Sequence, residues 1–227
     1  ETGVSPVAKF AVSAACEAIG EMRLEAIKAG EWRLGVVLTV VNGCVNYTRK
    51  FFSEVLDDPA TASPILFPET VFNSPSSHLA ALLGSREMNY TLLGDSTQFL
   101  SGLDLATQWL EDGLADGVVV VGAEELDWLS CEAAQLFRAR KPVSEGAGAI
   151  YLEPGTDGIL LESITPAFTY TNALTKPQAI AKMEDLIGEI PSPQSTESTF
   201  GFSMGAATAW DAVFVHQTLL AGSLERL

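Results

Sequence analysis

The stretch YTLLGDSTQFLSGLDLATQWLEDGLADGVVVVGAE, residues 90–124, decides the fold. Residues 90–93 are a short β-prone run, and Gly94-Asp-Ser-Thr97 breaks it. Residues 97–110 place Leu100, Leu103, Leu105 and Trp109 on a broad apolar helical face. Asp116 then leads into Gly117-Val-Val-Val-Val121, a continuous β-branched run of the kind buried on both faces of a sheet. Strand, sharp turn, helix and buried strand follow one another within 35 residues. A side chain in the first turn of such a helix points into a site, and the unpaired N–H groups there can hold an oxyanion. Ser96 occupies that turn.

Working outward, residues 7–29 carry Phe10, Ala14, Ala18, Met22 and Ala26 at helical spacing, with Gly30 as the stop. Residues 34–41, LGVVLTVV, read as a second buried strand that Asn42-Gly43 ends. Residues 47–56 read as helix, 59–68 as loop, 73–76 as a turn and 78–83 as a short helix. Beyond the central stretch, 128–139 is helical, and 147–152 and 158–164 read as two strands joined as a hairpin at Pro154-Gly155. Residues 176–187 form a helix, 191–193 (PSP) end regular structure, and 201–220 begin Gly-rich and continue as an apolar helix. Buried strands alternating with helices give an α/β class with a central sheet.

Composition narrows the function. The 227 residues are 47% hydrophobic and 19% charged, the balance of a packed globular chain. The apolar runs are strand-length, short of the roughly 18 residues a membrane-spanning helix needs. A net charge of −16 repels phosphate backbones and anionic lipid heads, so nucleic-acid and membrane-surface binding are not expected. Its simplest effect is solubility. Cys16, Cys44 and Cys131 share no metal or disulfide spacing, which points to reduced thiols and a cytoplasmic setting. With only His78 and His216 available, no metal site or cofactor is expected. The chain opens on Glu1-Thr2-Gly3 without a secretory pattern, so processing, a tag or a fragment is expected there.

Four islands, in order, resemble the β-ketoacyl-ACP synthases of the thiolase-like fold. That family reads T-x-x-T-A-C-S-S-S-L, an Ala/Leu-rich helix, G-x-x-D, and a Val-rich strand ending G-G-A/V-E. Laid on without a gap, Thr91 takes the first Thr, Ser96 the nucleophilic Cys, Gly113 and Asp116 the G-x-x-D, and Gly122-Ala-Glu124 the end. NSPSSH (73–78) with Leu82-Leu-Gly84 resembles the N-x-P-A/S-S helix before the nucleophile strand. SEGAGA (144–149) resembles G-E-G-A-G-A, and TESTFGFSMGAA (196–207) resembles T-K-x-x-x-G-H-x-x-G-A-A. The resemblance implies a thiolase-like fold, layered helices around buried mixed sheets, over one unit of 1–227. It implies a nucleophile-bearing half at 7–150 and a truncated second half at 151–227.

The departures fall on the chemistry. Decarboxylative condensation needs a thiolate at a helix N-terminus, two imidazoles, a lysine and an oxyanion hole. Here Ser96 replaces the Cys, Phe202 the second His and Glu197 the Lys. No H-G-T-x-T segment is present between 186 and 196, and the family's first strand, V-x-I-T-G, is not found at the start of the chain. His78 and His216 are expected to be structural, Cys44 an inert thiol and Cys16 a core residue, and Cys131 has no basic neighbour.

The resemblance therefore implies a catalytically silent subunit of the chain-length-factor type. Such a subunit pairs with an active ketosynthase in fatty-acid, polyketide or aryl-polyene-type biosynthesis and helps shape the acyl tunnel. The family dimerises through the nucleophile strand and the N-x-P helix, here 90–93 and 73–83, so the partner is an active ketosynthase or a second copy. Acyl carrier proteins are acidic, and a −16 surface should meet one only through the partner. The alternative is a Ser96-dependent acyltransferase or thioesterase, which needs a base the sequence does not supply. A blander possibility is a degenerate homodimer with a structural role alone.

Overall fold

The computed structural model describes residues 4–137, 142–165, 168, 170–187 and 195–222. In chain order the helices are α1 (Pro6–Ile19), α2 (Glu21–Ala29), α3 (Val45–Asp57), α4 (Ser74–Leu83), α5 (Gln98–Glu111), α6 (Trp128–Phe137), α7 (Lys176–Ile187), α8 (Glu197–Phe200) and α9 (Ala207–Leu220). The strands are β1 (Leu34–Val40), β2 (Asn89–Leu93), β3 (Gly117–Glu124) and β4 (Gly146–Leu152). They form one mixed sheet in the order β2-β1-β3-β4. β1 runs parallel to both β2 and β3, and β4 returns antiparallel to β3. Among the described residues, no helix is long and apolar enough to cross a membrane.

The period-2 pleat sorts the apolar side chains onto two faces. Leu34, Val36, Leu38 and Val40 of β1, with Val119, Val121 and Ala123 of β3, meet α1, Ile27 of α2, and Leu79 and Leu83 of α4. Val37, Val118 and Val120 face the opposite way, onto Phe99, Leu103, Ala106 and Trp109 of α5 and Ala209 of α9. Every residue of β1 and β3 is buried, as expected of strands covered on both sides. Each fully buried Val or Leu contributes about 2 kcal/mol of transfer free energy. Two glycines set the spacing of the second layer. A Cβ at Gly102 would lie 2.9 Å from Val120, and one at Gly122 would lie 2.8 Å from the Ala209 methyl. Only hydrogen at these positions lets α5 and α9 lie this close to the sheet.

Several expectations are corrected. The helix expected over 7–29 is two helices, because Gly20 takes φ +78° and turns the chain between α1 and α2. Gly30 does end α2, in a left-handed cap. The helix expected from 78 begins at Ser74, with Pro75 in its first turn, where a missing N–H costs nothing. β3 runs past 121 to Glu124 because β4 pairs with it residue for residue to Gly146. Residues 158–164 are not a strand. Gly158 has φ +92°, Leu160 and Leu161 are exposed, and among the described residues no ladder partner stands beside them. An apolar run becomes a strand only where its backbone groups find a neighbour. The C-terminal end of the 128–139 helix and the 191–193 stop lie outside the described residues.

The layers are tied at the end of β3 by Glu125, which is fully buried. Its Oε2 accepts from Val7 N at 2.8 Å in the first turn of α1, and its Oε1 from Asn46 N at 2.8 Å in the first turn of α3. One carboxylate thus serves two helix N-termini, where backbone donors are unpaired and the helix dipole favours negative charge. Glu125→Ala is expected to cost about 3 kcal/mol, because two buried N–H groups lose their acceptor. Glu125→Gln keeps one carbonyl acceptor and is expected to cost about half as much; urea unfolding of the three proteins checks both.

Candidate functional site at the carboxyl rim of the sheet

The three parallel strands end on one rim, where open α/β sheets gather their ligand-binding loops. Four segments meet there: 41–44 after β1, 94–97 after β2, 125–127 after β3, and 142–145 leading into β4. A fifth segment, 201–206, lies over the end of β3.

Ser96 is half-buried in the turn between β2 and α5, as expected. The donors beside it are already engaged. Asp95 Oδ1 accepts from Thr97 N at 2.8 Å and from Thr97 Oγ1 at 2.5 Å, and Asp95 O accepts from Gln98 N at 3.1 Å. The Asp95 carboxylate therefore closes the turn that precedes α5, next to Ser96. The D-x-T spacing was readable in the sequence as an Asx turn. Negative charge at that point opposes both deprotonation of the hydroxyl and growth of an oxyanion.

Phe202 and Glu197 lie on the segment that returns to the rim. Phe202 N donates to Pro142 O and Phe202 O accepts from Ser144 N, each at 2.9 Å, while Ser144 Oγ bonds Phe200 O. A phenyl ring in this place can neither donate a hydrogen bond nor carry a proton. Glu197 opens the four-residue α8, whose preceding Thr196 is fastened to Asp211 Oδ1 through N and Oγ1 at 2.7 and 2.9 Å. The 201–206 segment stands over β3, and Ser96 follows β2, on the other side of β1. Two strand spacings, about 10 Å, separate those strand ends.

The histidines sit elsewhere. His78 Nε2 lies 2.9 Å from Glu69 and joins α4 to the short 3₁₀ turn at Phe67–Glu69. His216 is half-buried on α9, nine residues beyond its start. Cys44, 1% exposed, is the N-cap of α3, with its Sγ 3.5 Å from Ser5 Oγ. Burial pushes its thiol up to about 11, and nearby Glu125 and Glu69 add to the rise. A thiol so protonated is a poor nucleophile at neutral pH. Cys16 is half-buried against the α1 core layer, and Cys131 is half-buried on α6. Among the described residues, no group of three or more His, Cys, Asp or Glu could hold a metal ion. A cavity of about 400 Å³ lies between Phe168, Tyr170 and the first turns of α7, and none of the residues above lines it.

Asp127 and Glu125 of the rim are not marked by the sequence, and Glu124 is marked there only as the end of the family's G-G-A/V-E strand. Asp127 caps α6 by accepting from Ser130 N at 2.8 Å, with Arg49 3.4 Å from its other oxygen. Glu124 and Glu125 are fully buried, and burial pushes both carboxyls upward. The signal available was two carboxylates prolonging a strand that reads as buried throughout.

No family model matches the chain. A β-ketoacyl-ACP synthase III of Granulibacter bethesdensis is 34% identical over 95 residues, 40% of this chain and 28% of that enzyme. The chain thus spans less than a third of the length of the curated relative it matches. Among solved structures, a β-ketoacyl synthase from Burkholderia phymatum superposes with a TM-score of 0.64 at 15% identity, over 95% of this chain and 69% of that one. A type II polyketide ketosynthase, solved in complex with its acyl carrier protein, superposes with a TM-score of 0.55 at 16% identity, over 67% and 44%. The chain thus has the fold of these β-ketoacyl synthases, and over the matched 95 residues its sequence is similar to that of a β-ketoacyl-ACP synthase III.

Proposed function

We propose that the chain is a catalytically silent ketosynthase-like subunit. In this reading it pairs with an active β-ketoacyl synthase of a fatty-acid, polyketide or aryl-polyene-type pathway and helps shape its acyl tunnel. The observation that carries the reading is the head of α5. Ser96 has an Asp carboxylate as its neighbour, and that carboxylate takes the Thr97 N–H. A hydroxyl nucleophile needs a base and a free oxyanion donor, and Asp95 already holds the Thr97 N–H beside Ser96. The positions that correspond to the family's second imidazole and lysine hold Phe202 and Glu197, neither of which can stabilise a developing enolate.

The surface assigned to the partner is the β2 edge. Among the described residues β2 pairs on one side only, with β1. Tyr90 and Leu93 on β2, Leu82 on α4 and Leu100 on α5 are all 42–57% exposed. Tyr90 is propped edge-on against Trp109, with ring centroids 5.3 Å apart. An unpaired edge flanked by apolar side chains invites a strand from another chain. The net charge of −16 leaves docking of an acidic carrier protein to the partner.

Co-expression with the ketosynthase of its own gene neighbourhood tests the pairing. The two chains are expected to co-purify, and Leu93→Arg is expected to weaken the complex at least about tenfold, since a buried unpaired charge costs several kcal/mol. The chemistry is tested separately. Ser96→Ala is expected to leave product formation by the pair unchanged within about twofold, with chain length measured by mass spectrometry. Turnover of an acyl thioester by the isolated chain, lost in Ser96→Ala, would instead establish a serine-dependent acyl-transfer enzyme.

A further inference from the structure

The end of β3 holds a second feature, separate from Ser96 and from the partner edge. Glu124 is fully buried. Its Oε1 accepts from Asn42 N at 3.2 Å, in the turn after β1. Among the described residues its Oε2 has no hydrogen-bond partner, and neither has the buried amide nitrogen of Asn42, Nδ2; the Val41 and Glu125 N–H groups also act on the carboxyl and favour its charged form, against the larger effect of burial. The backbone of the 201–206 segment is pressed onto the same carboxyl. A Cβ at Gly205 would lie 2.8 Å from Glu124 Oε2 and against the carbonyl oxygen of Ala123. Behind that segment, Ala209 and Trp210 of α9 rest on Gly122, Gly146 and Gly148.

Among the described residues, no cation acts on a charge at Glu124. Glu125 beside it is a carboxyl, and Glu145, before β4, is another, bonded to Leu126 N at 3.0 Å. The turn after β1 brings Asn42, Gly43 and the protonated Cys44, and the 201–206 segment brings no titratable group. α1 faces the sheet with Val7, Ala8, Ala11 and Ala15, and its Lys9 is exposed. α5 presents Phe99 and Leu103, while Asp211 on α9 is engaged by Thr196. On β1, Arg33 and its Asp116 partner lie before the strands, at the opposite end.

We propose that Glu124, Asn42 and Gly205 form a proton-operated clasp: the carboxyl is neutral while the 201–206 segment is seated, and its ionisation loosens that segment, with the start of α9, from the sheet. A neutral carboxyl tolerates one unpaired oxygen in a dry contact, whereas a carboxylate there must recover water, and the cover pressed on that oxygen is the glycine-containing segment. Phe202 rides on this segment, so the clasp governs the wall of the rim.

The direction with pH follows from the raised carboxyl, lifted by burial from 4.5 to about 7. The unfolded or unseated carboxyl ionises first as pH rises. Seating is therefore unopposed below the ordinary carboxyl range, loses ground from there up to about pH 7, and carries the full penalty above it. Peptide-resolved hydrogen exchange of the full chain from pH 5 to 8.5, corrected for intrinsic rates, tests this. Peptides spanning 200–210 contain the Phe202, Ala207 and Trp210 amides, bonded to Pro142 O, Ser203 O and Ala206 O. Their protection is expected to fall with pH, by up to about tenfold per unit as one proton is released, while 118–123 in β3 holds. Glu124→Gln is expected to flatten the profile. A flat wild-type profile, a fall shared equally by 118–123, or a fall that persists in Glu124→Gln would overturn the clasp. The first two outcomes are read on the wild-type protein and do not depend on the variant folding.

Discussion

A single buried carboxylate organises this protein. Glu125 leaves the end of a fully buried strand and accepts one N–H from α1 and one from α3. Helix N-termini buried without acceptors are costly, and here two are served at once. The price is a carboxyl held in a dry site, where burial raises its proton affinity against the pull of those donors. Both the α1 layer and the turn that launches α3 depend on this bond, and so does the shape of the rim above β1 and β3.

The rim gathers the turns that follow the three parallel strands. A strand, a sharp turn and a helix still present a hydroxyl at the expected place. Asp95 satisfies the Thr97 N–H and hydroxyl and so closes the turn that precedes α5. The same rim holds Glu124, whose unpaired oxygen lies under a glycine contact that tolerates no side chain.

Apolar surface is distributed unevenly. β2 is half-covered while β1 and β3 are fully buried, and Tyr90, Leu93, Leu82 and Leu100 stand exposed around it. A strand in the centre of a sheet needs no further partner, and an edge with apolar neighbours does. This asymmetry belongs to the sheet order, since β2 is the outermost parallel strand.

The sequence by itself determined the strands that are buried on both faces, because LGVVLTV and GVVVV satisfy a two-sided apolar environment and no other. It also determined the helices with strong 3.6-residue patterning, α5 and α7, and the placement of Ser96 at a strand-to-helix turn. Tertiary structure alone decided three things. Residues 158–164 carry a strand-like apolar run but pair with no other segment among the described residues, since a ladder needs a second chain segment that local sequence cannot supply. Gly20 divides a continuous helical pattern because α1 must follow the sheet, and only glycine accepts φ +78° there. The roles of Glu124 and Glu125 depend on residues some 80 and 118 positions away, Asn42, Asn46 and Val7, which meet only when β1 and β3 pair and α1 lies across them. A carboxylate's environment is made by its non-local neighbours, and these exist only in the folded chain.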